Sequence, residues 1–141
     1  MRRLHLILVA AVMLSRGADV QSGTACLRYE PDTVRLTGRL ERHMYYGAPG
    51  YGEDPRHDDK EVGFYLGLTS PLCVSQGKFD APKSGVRRVQ LVLDSIGYAR
   101  LRSFLGRRVT LRGTLFAAYT GHHHTPVLLW VVKPVPVEHS P

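Results

Sequence analysis

The pattern Val-x-Leu-x-Gly-x-Leu occurs twice in the chain, at Val34–Leu40 and at Val109–Leu115. Val34, Leu36 and Leu40 alternate with Arg35, Thr37 and Arg39. In the second copy Val109, Leu111, Leu115 and Ala117 alternate with Thr110, Arg112, Thr114 and Phe116. A period of two is what a β-strand with one buried face requires. A mid-strand glycine, Gly38 or Gly113, marks a bulge or a sharp bend. Two strands bent at matching positions predict a small closed barrel, because closure makes strands coil sharply. The sequences around the two copies do not match, so this is no internal repeat.

The second copy leads into Tyr119-Thr-Gly-His-His-His-Thr-Pro-Val-Leu-Leu-Trp-Val-Val132. Val127 to Val132 is apolar without interruption, as expected for a strand covered on both faces or placed at a barrel seam. Gly121 can supply the positive φ of a tight connection, and Pro126 has no amide to offer a ladder. His122, His123 and His124 are thereby expected at a hairpin tip.

The remaining segments complete the order. Tyr45 to Asp59 carries Gly47, Gly50, Gly52, Pro49 and Pro55 and reads as a long irregular loop. Loops of that length inside a domain are functional or disordered, and Tyr45, Tyr46 and Tyr51 favour a packed one. Glu61–Val74 reads as a strand with Val62, Phe64, Leu66 and Leu68 on one face, residues 75–85 as a loop, and Val86–Leu93 as a third strand. Asp94 or Ser95 can cap a helix that buries Ile96, Ala99, Leu101, Phe104 and Leu105 and ends at Gly106. Strand, long loop, strand, strand, helix, strand, hairpin, strand is the order of a mainly β, five-stranded OB-like Greek-key barrel with one short helix between strands 3 and 4. A swivelling β-sandwich or another small barrel is the alternative. In an OB-fold the loop between strands 1 and 2 and the loop between strands 4 and 5 flank the binding face. The 45–59 loop and the 119–125 hairpin are therefore expected to be neighbours.

The N-terminus has the order of a secretory signal peptide: Arg2 and Arg3, an apolar run from Leu4 to Leu14 broken by His5, then small polar residues. The run of about 11 residues is shorter than the roughly 20 a membrane span needs. Cleavage fits after Gly17 or after Ala25; a lipoprotein site at Ala25-Cys26 fits poorly, because Gly23 stands where a large aliphatic is wanted. The expected organisation is a signal peptide and leader over 1–25, a barrel domain over 26–133 and a flexible tail over 134–141. No later run reaches membrane length, so no transmembrane segment is expected in the mature chain. Export makes Cys26 and Cys73 candidates for one disulfide, with two buried thiols as the alternative. The formal net charge of +7 falls to +5 when residues 1–25, with Arg2, Arg3, Arg16 and Asp19, are removed. A basic exported domain is drawn to anionic surfaces, although net charge also serves solubility.

Three chemistries compete for the hairpin. His122 and His124 can share a face and suit Zn²⁺ or Cu²⁺, with His57, Asp58, Asp59 or Glu53 from the facing loop completing a set. They can instead hydrogen-bond loop carbonyls and carboxylates with no metal, or contact a ligand. The tyrosines Tyr45, Tyr46, Tyr51 and Tyr119 with Arg35, Arg39, Arg87, Arg88, Arg107, Arg108 and Arg112 form either a stacking platform in a positive groove or loop packing beside solvated outer-face charges. Catalysis finds little support: there is no Gly-x-Ser-x-Gly, no phosphate loop and no His-Glu-x-x-His.

Cys26–Pro31, Tyr45–Pro55, Pro71–Val74 and Leu115–Leu129, above all Thr-Gly-His-His-His-Thr, resemble a family of exported bacterial proteins that carry a domain of unknown function. The resemblance covers most of the mature chain. It implies export, to the periplasm or beyond, and pairing of the two cysteines; it implies no activity and no cofactor. The reading at this point is an exported binding module with Tyr46, Tyr51, Glu53, Tyr119, His122, His123 and His124 facing the ligand. An anionic envelope polymer or an oligosaccharide is the expected partner, with nucleic acid disfavoured. The alternative is a Zn- or Cu-binding accessory protein using His122, His124, His57 and Asp58.

Overall fold

A computed structural model describes residues 25–132. The expected signal peptide and the flexible tail lie outside the described residues, apart from Ala25. Five strands, β1 (Thr33–Tyr46), β2 (Lys60–Val74), β3 (Lys83–Val92), β4 (Arg108–Ala117) and β5 (Val127–Val131), close into a barrel in the order β1-β2-β3-β5-β4. Neighbours are antiparallel except β3 and β5, which are parallel. The single helix α1 (Ser95–Leu101) and a 3₁₀ turn over Arg102–Phe104 join β3 to β4. This is the OB arrangement.

The two glycines do what closure demands. The first part of β1 pairs with β4 and the last with β2, and Gly38 sits at the overlap, opposite both Leu68 and Val109. A Cβ on Gly38 would lie 2.3 Å from the Gly67 carbonyl oxygen, and one on Gly113 2.1 Å from that of Trp130. These are sites of close backbone approach. The β4 register runs through Gly113 without a break, so Gly113 is not a bulge; the irregular register lies in β2, between Gly67 and Val74. Val34, Leu36, Leu40, Val109, Leu111 and Leu115 fill the interior with Phe64, Leu66, Val89, Leu91, Val127 and Leu129.

Several local expectations change. Strand β1 continues to Tyr46, so Tyr45 and Tyr46 belong to the sheet, and β3 begins at Lys83, inside the segment read as a loop. Val62 shares the parity of Phe64 but sits at the barrel mouth opposite Met44, where it is exposed. Tyr65, on the other face, is buried. Asp94 caps α1, accepting from the Gly97 amide at 2.6 Å, but the helix is short and turns Gly97, Tyr98 and Leu101 to the barrel; Ile96 and Ala99 face solvent. Gly106 has the expected positive φ of 79°. Gly121 is not among the residues with positive φ, and its lack of a side chain serves packing instead.

Cys26 and Cys73 are joined by a disulfide. It holds the segment before β1 against the end of β2, where Leu27 donates to the Cys73 carbonyl and Ser75 to the Leu27 carbonyl, both at 2.9 Å. The Glu30 amide then reaches the Leu115 carbonyl on β4 at 2.8 Å. The buried Tyr29 anchors this strap, donating its hydroxyl to the Ala81 carbonyl.

Candidate functional site

Alternation along β1, β2 and β3 turns Tyr45, Glu61, Tyr65 and Gln90 to the outer face of the sheet. Tyr45 is the ladder partner of Glu61, and Tyr65 of Gln90. The histidine hairpin folds over this surface. His122 Nδ1 lies 2.5 Å from Glu61 Oε1, and His124 Nε2 lies 2.8 Å from Glu61 Oε2. An ionised carboxylate only accepts hydrogen bonds, so both imidazoles present N–H to it. The Tyr45 ring stacks on His124 with centroids 4.2 Å apart and planes 4° from parallel.

Gln90 latches the hairpin backbone. Its Oε1 accepts from the His124 amide at 2.7 Å, and its Nε2 donates to the His122 carbonyl at 3.0 Å. The Gln90 amide donates to Thr125 Oγ1, whose hydroxyl is passed on to the Val127 carbonyl. Tyr65 and Leu128 are 1% and 0% exposed although neither belongs to the barrel core, so the outer face carries a small buried layer of its own.

The 45–59 loop is ordered by one carboxylate. Asp58, itself buried, accepts from the amides of Gly50, Gly52 and Asp54 at 2.6, 2.7 and 3.3 Å. Burial raises its pKa, but those three donors and nearby His57 outweigh burial and leave it below the ordinary carboxyl value. Glu61 behaves alike: burial raises it, and hydrogen bonds from His124 and His122 bring it below the ordinary value. The turn forced on the loop puts Tyr51 at φ +52° and Gly52 at φ +102°. The Tyr51 ring then lies over Gly121, where a Cβ would come 2.8 Å from the ring. A Cβ on Gly47 would sit 2.2 Å from Glu61 Oε1, so this glycine leaves room for the bridging carboxylate. Loop and hairpin form one joined rim.

The other expected site residues are distributed around that rim. Tyr51 and Tyr119 project into solvent, 51% and 78% exposed. Glu53 is exposed at the loop's outer turn, and Tyr46 is half-buried beneath Gly52. His123 turns away from its neighbours: its Nδ1 accepts from the Tyr119 amide at 3.1 Å, and its ring meets Tyr119 and Phe116 edge-on. Burial, then the adjacent His122 and His124, hold its pKa below the ordinary value. His57 and Asp58 do not join His122 and His124. His57 pairs with Asp54 on the exposed side of the loop, and the Asp58 oxygens are occupied by amides. Among the described residues no group of three or more His, Cys, Asp or Glu side chains is placed to hold a metal ion.

Sequence reading placed Tyr45 among the possible stacking tyrosines but missed His124 as its partner, and it missed Glu61, Gln90 and Thr125. Their signal was the parity of β1, β2 and β3, which marks Tyr45, Glu61 and Gln90 as outward, but parity does not say what lies over them.

The fold and this rim define a small OB-type barrel whose strand 4–5 hairpin is latched to the outer face of strands 1–3. Residues 88–133, from β3 through the helix and the histidine hairpin to the end of β5, match the family model of a domain of unknown function, DUF4431. No curated protein and no solved structure matches the chain. The disulfide is compatible with an extracellular setting. No described helix is long and apolar enough to cross a membrane.

Proposed function

We propose that the protein is an exported binding module whose ligand sits on the rim formed by the 45–59 loop and the 119–125 hairpin. The observation that carries this reading is the joining of the two segments, Tyr51 on Gly121 and Glu61 between His122 and His124, with Tyr51 and Tyr119 left exposed beside it. A pre-ordered rim with exposed aromatic faces beside positioned polar groups fits a binding site. The rim favours a polyhydroxyl ligand over an anionic one: Glu53, Asp54, Asp58, Asp59 and Glu61 stand against Arg56 and Lys60 alone in residues 53–61. Carboxylates accept from sugar hydroxyls and repel phosphates. Its titratable groups Glu61 and Asp58 already serve internal bonds, which supports binding rather than catalysis.

Titration calorimetry of the mature, disulfide-intact protein with neutral envelope-type oligosaccharides such as chitotetraose tests this. Binding that weakens by about tenfold or more in both Tyr51→Ala and Tyr119→Ala, with melting unchanged in Tyr119→Ala, is the expected result; that is a loss of about 1.4 kcal/mol. No binding of neutral sugars, or binding indifferent to both tyrosines, overturns the reading.

Metal binding is the second reading, and one feature favours it. Glu61 orients two imidazoles through one nitrogen each, as outer carboxylates orient metal-bound histidines. Added Zn²⁺ or Cu²⁺ at one hundred times its dissociation constant then stabilises the chelated protein by about 2.7 kcal/mol. That shift must vanish in His122→Ala/His124→Ala.

A further inference from the structure

The outer face where β1 meets β4 carries a different chemistry. Where β1 runs beside β4, the ladder partners are Arg35 with Arg112, Thr37 with Thr110, and Arg39 with Arg108. All four arginines are exposed. Among the described residues none of them has a carboxylate within salt-bridge distance; the arginine ion pairs found there are Arg28–Asp32 and Arg88–Glu41. Like charges directly opposite across a sheet destabilise it. Two such pairs on adjacent same-face positions around a threonine rung, with Thr37 and Thr110 hydroxyls 2.7 Å apart, leave a strip of unneutralised charge.

A second observation lies next to that strip. Pairing of β1 with β2 reaches back only to Gly38 and Leu68; the part of β1 before Gly38 runs along β4, while beyond Gly67 the β2–β3 register becomes irregular. The strands part there and open a cleft of about 310 Å³ lined by Arg35, Thr37, Thr69, Ser70 and Arg108 above Leu36, Leu68 and Leu72. Two guanidinium forks and three hydroxyls around one depression form a donor-rich set. Guanidinium groups bind tetrahedral oxyanions in paired hydrogen bonds, and hydroxyls add single ones.

We propose that this cleft and the arginine strip bind a linear polymer without bases that bears sulfate or phosphate groups, with one such group seated between Arg35 and Arg108 and others along Arg39 and Arg112. The cation pairs stand four residues apart along β1, about 13 Å. No aromatic ring lines the cleft, and Trp130, exposed opposite Thr114 one rung beyond Arg112, is a single ring rather than a stacking platform, so the sulfate or phosphate groups are what the surface reads. This site lies on a different wall from the tyrosine rim and does not depend on the reading given to that rim.

The test is titration of the mature protein with a heparin oligosaccharide and with a polyphosphate chain of similar charge, at 50 and 200 mM salt (roughly). Four neutralised contacts predict a fall in affinity of about 50-fold over that range, using the slope per contact of a single-stranded polyanion. Arg35→Ala/Arg108→Ala should weaken binding by about tenfold or more and flatten the salt dependence, while Arg87→Ala/Arg100→Ala, which removes the same charge elsewhere, should do neither. Stronger binding of heparin marks an ester-bearing glycan as the source, and stronger binding of polyphosphate a phosphate polymer. Equal losses in the two double variants would reduce the effect to net charge and overturn the site. Tighter binding of oligo-thymidylate than of both polymers would overturn the ligand class. Thermal melting without ligand checks that each variant is folded.

Discussion

Replacing Gln90 by alanine removes both side-chain bonds that hold the hairpin backbone, the 2.7 Å bond from the His124 amide and the 3.0 Å bond to the His122 carbonyl. The bond from the Gln90 amide to Thr125 remains, because it belongs to the backbone. A neutral hydrogen bond contributes about 0.5–1.5 kcal/mol net, so the pair contributes about 2 kcal/mol to keeping the hairpin closed. That energy makes the open hairpin about 30-fold more populated in the variant. Native-state hydrogen exchange reads this at the residue-90 amide, whose own bond to Thr125 survives the substitution: it should lose about 30-fold of its protection, while amides of β1 and β4 change little, as for a local opening. Global melting should fall by less than the full 2 kcal/mol would imply, since Glu61 still holds both imidazoles. If the residue-90 amide exchanges at the wild-type rate in Gln90→Ala, the latch does not hold the hairpin and the account of the rim fails. A uniform loss of protection across the barrel would equally refute it, because the hairpin would then not open separately.

Acid should destabilise the rim in two stages. The His123 pKa is depressed below its ordinary 6.5, so the folded state resists protonation there and stability begins to fall as pH drops through that value. The Glu61 carboxyl is depressed below 4.5; its contribution is complete above that pH and is lost as pH falls through the folded value. Melting curves of Glu61→Gln should therefore keep the first stage and lose part of the second; an unchanged acid limb would assign that stage to other carboxylates. Gly113→Ala should cost about 3 kcal/mol or more, since its Cβ meets the Trp130 carbonyl oxygen at 2.1 Å and backbone must shift to relieve it. A melting temperature within a few degrees of wild type would show that β4 and β5 do not approach that closely. Reducing Cys26–Cys73, which are 47 residues apart, should cost about 4 kcal/mol on the chain-entropy estimate, a drop of roughly 15 °C for a domain of this size. Identical melting with and without reductant would show that the strap adds no constraint.

The alternation in Val34–Leu40 and Val109–Leu115, the glycine in each, the Asp94 cap and the left-handed Gly106 were legible in the chain, although the helix stops earlier, at Leu101; with the element order they determined a five-stranded barrel with its helix between strands 3 and 4. These are local signals: a two-residue period, a missing Cβ and a capping oxygen act over a few residues. Even the nearness of loop and hairpin followed, because strand order places them. Only the tertiary structure decided which side chains meet there. Tyr45, Glu61 and Gln90 are unremarkable outward positions along their own strands, and they become a site because the hairpin folds across three strands at once. His57 and Asp58 look like partners for the histidines in sequence, yet the loop's turn commits Asp58 to the amides of Gly50, Gly52 and Asp54. Likewise Arg35 and Arg112 are 77 residues apart, and only register sets them opposite each other. Pairing across strands is a long-range choice settled by how the whole barrel closes, and no window of sequence contains it.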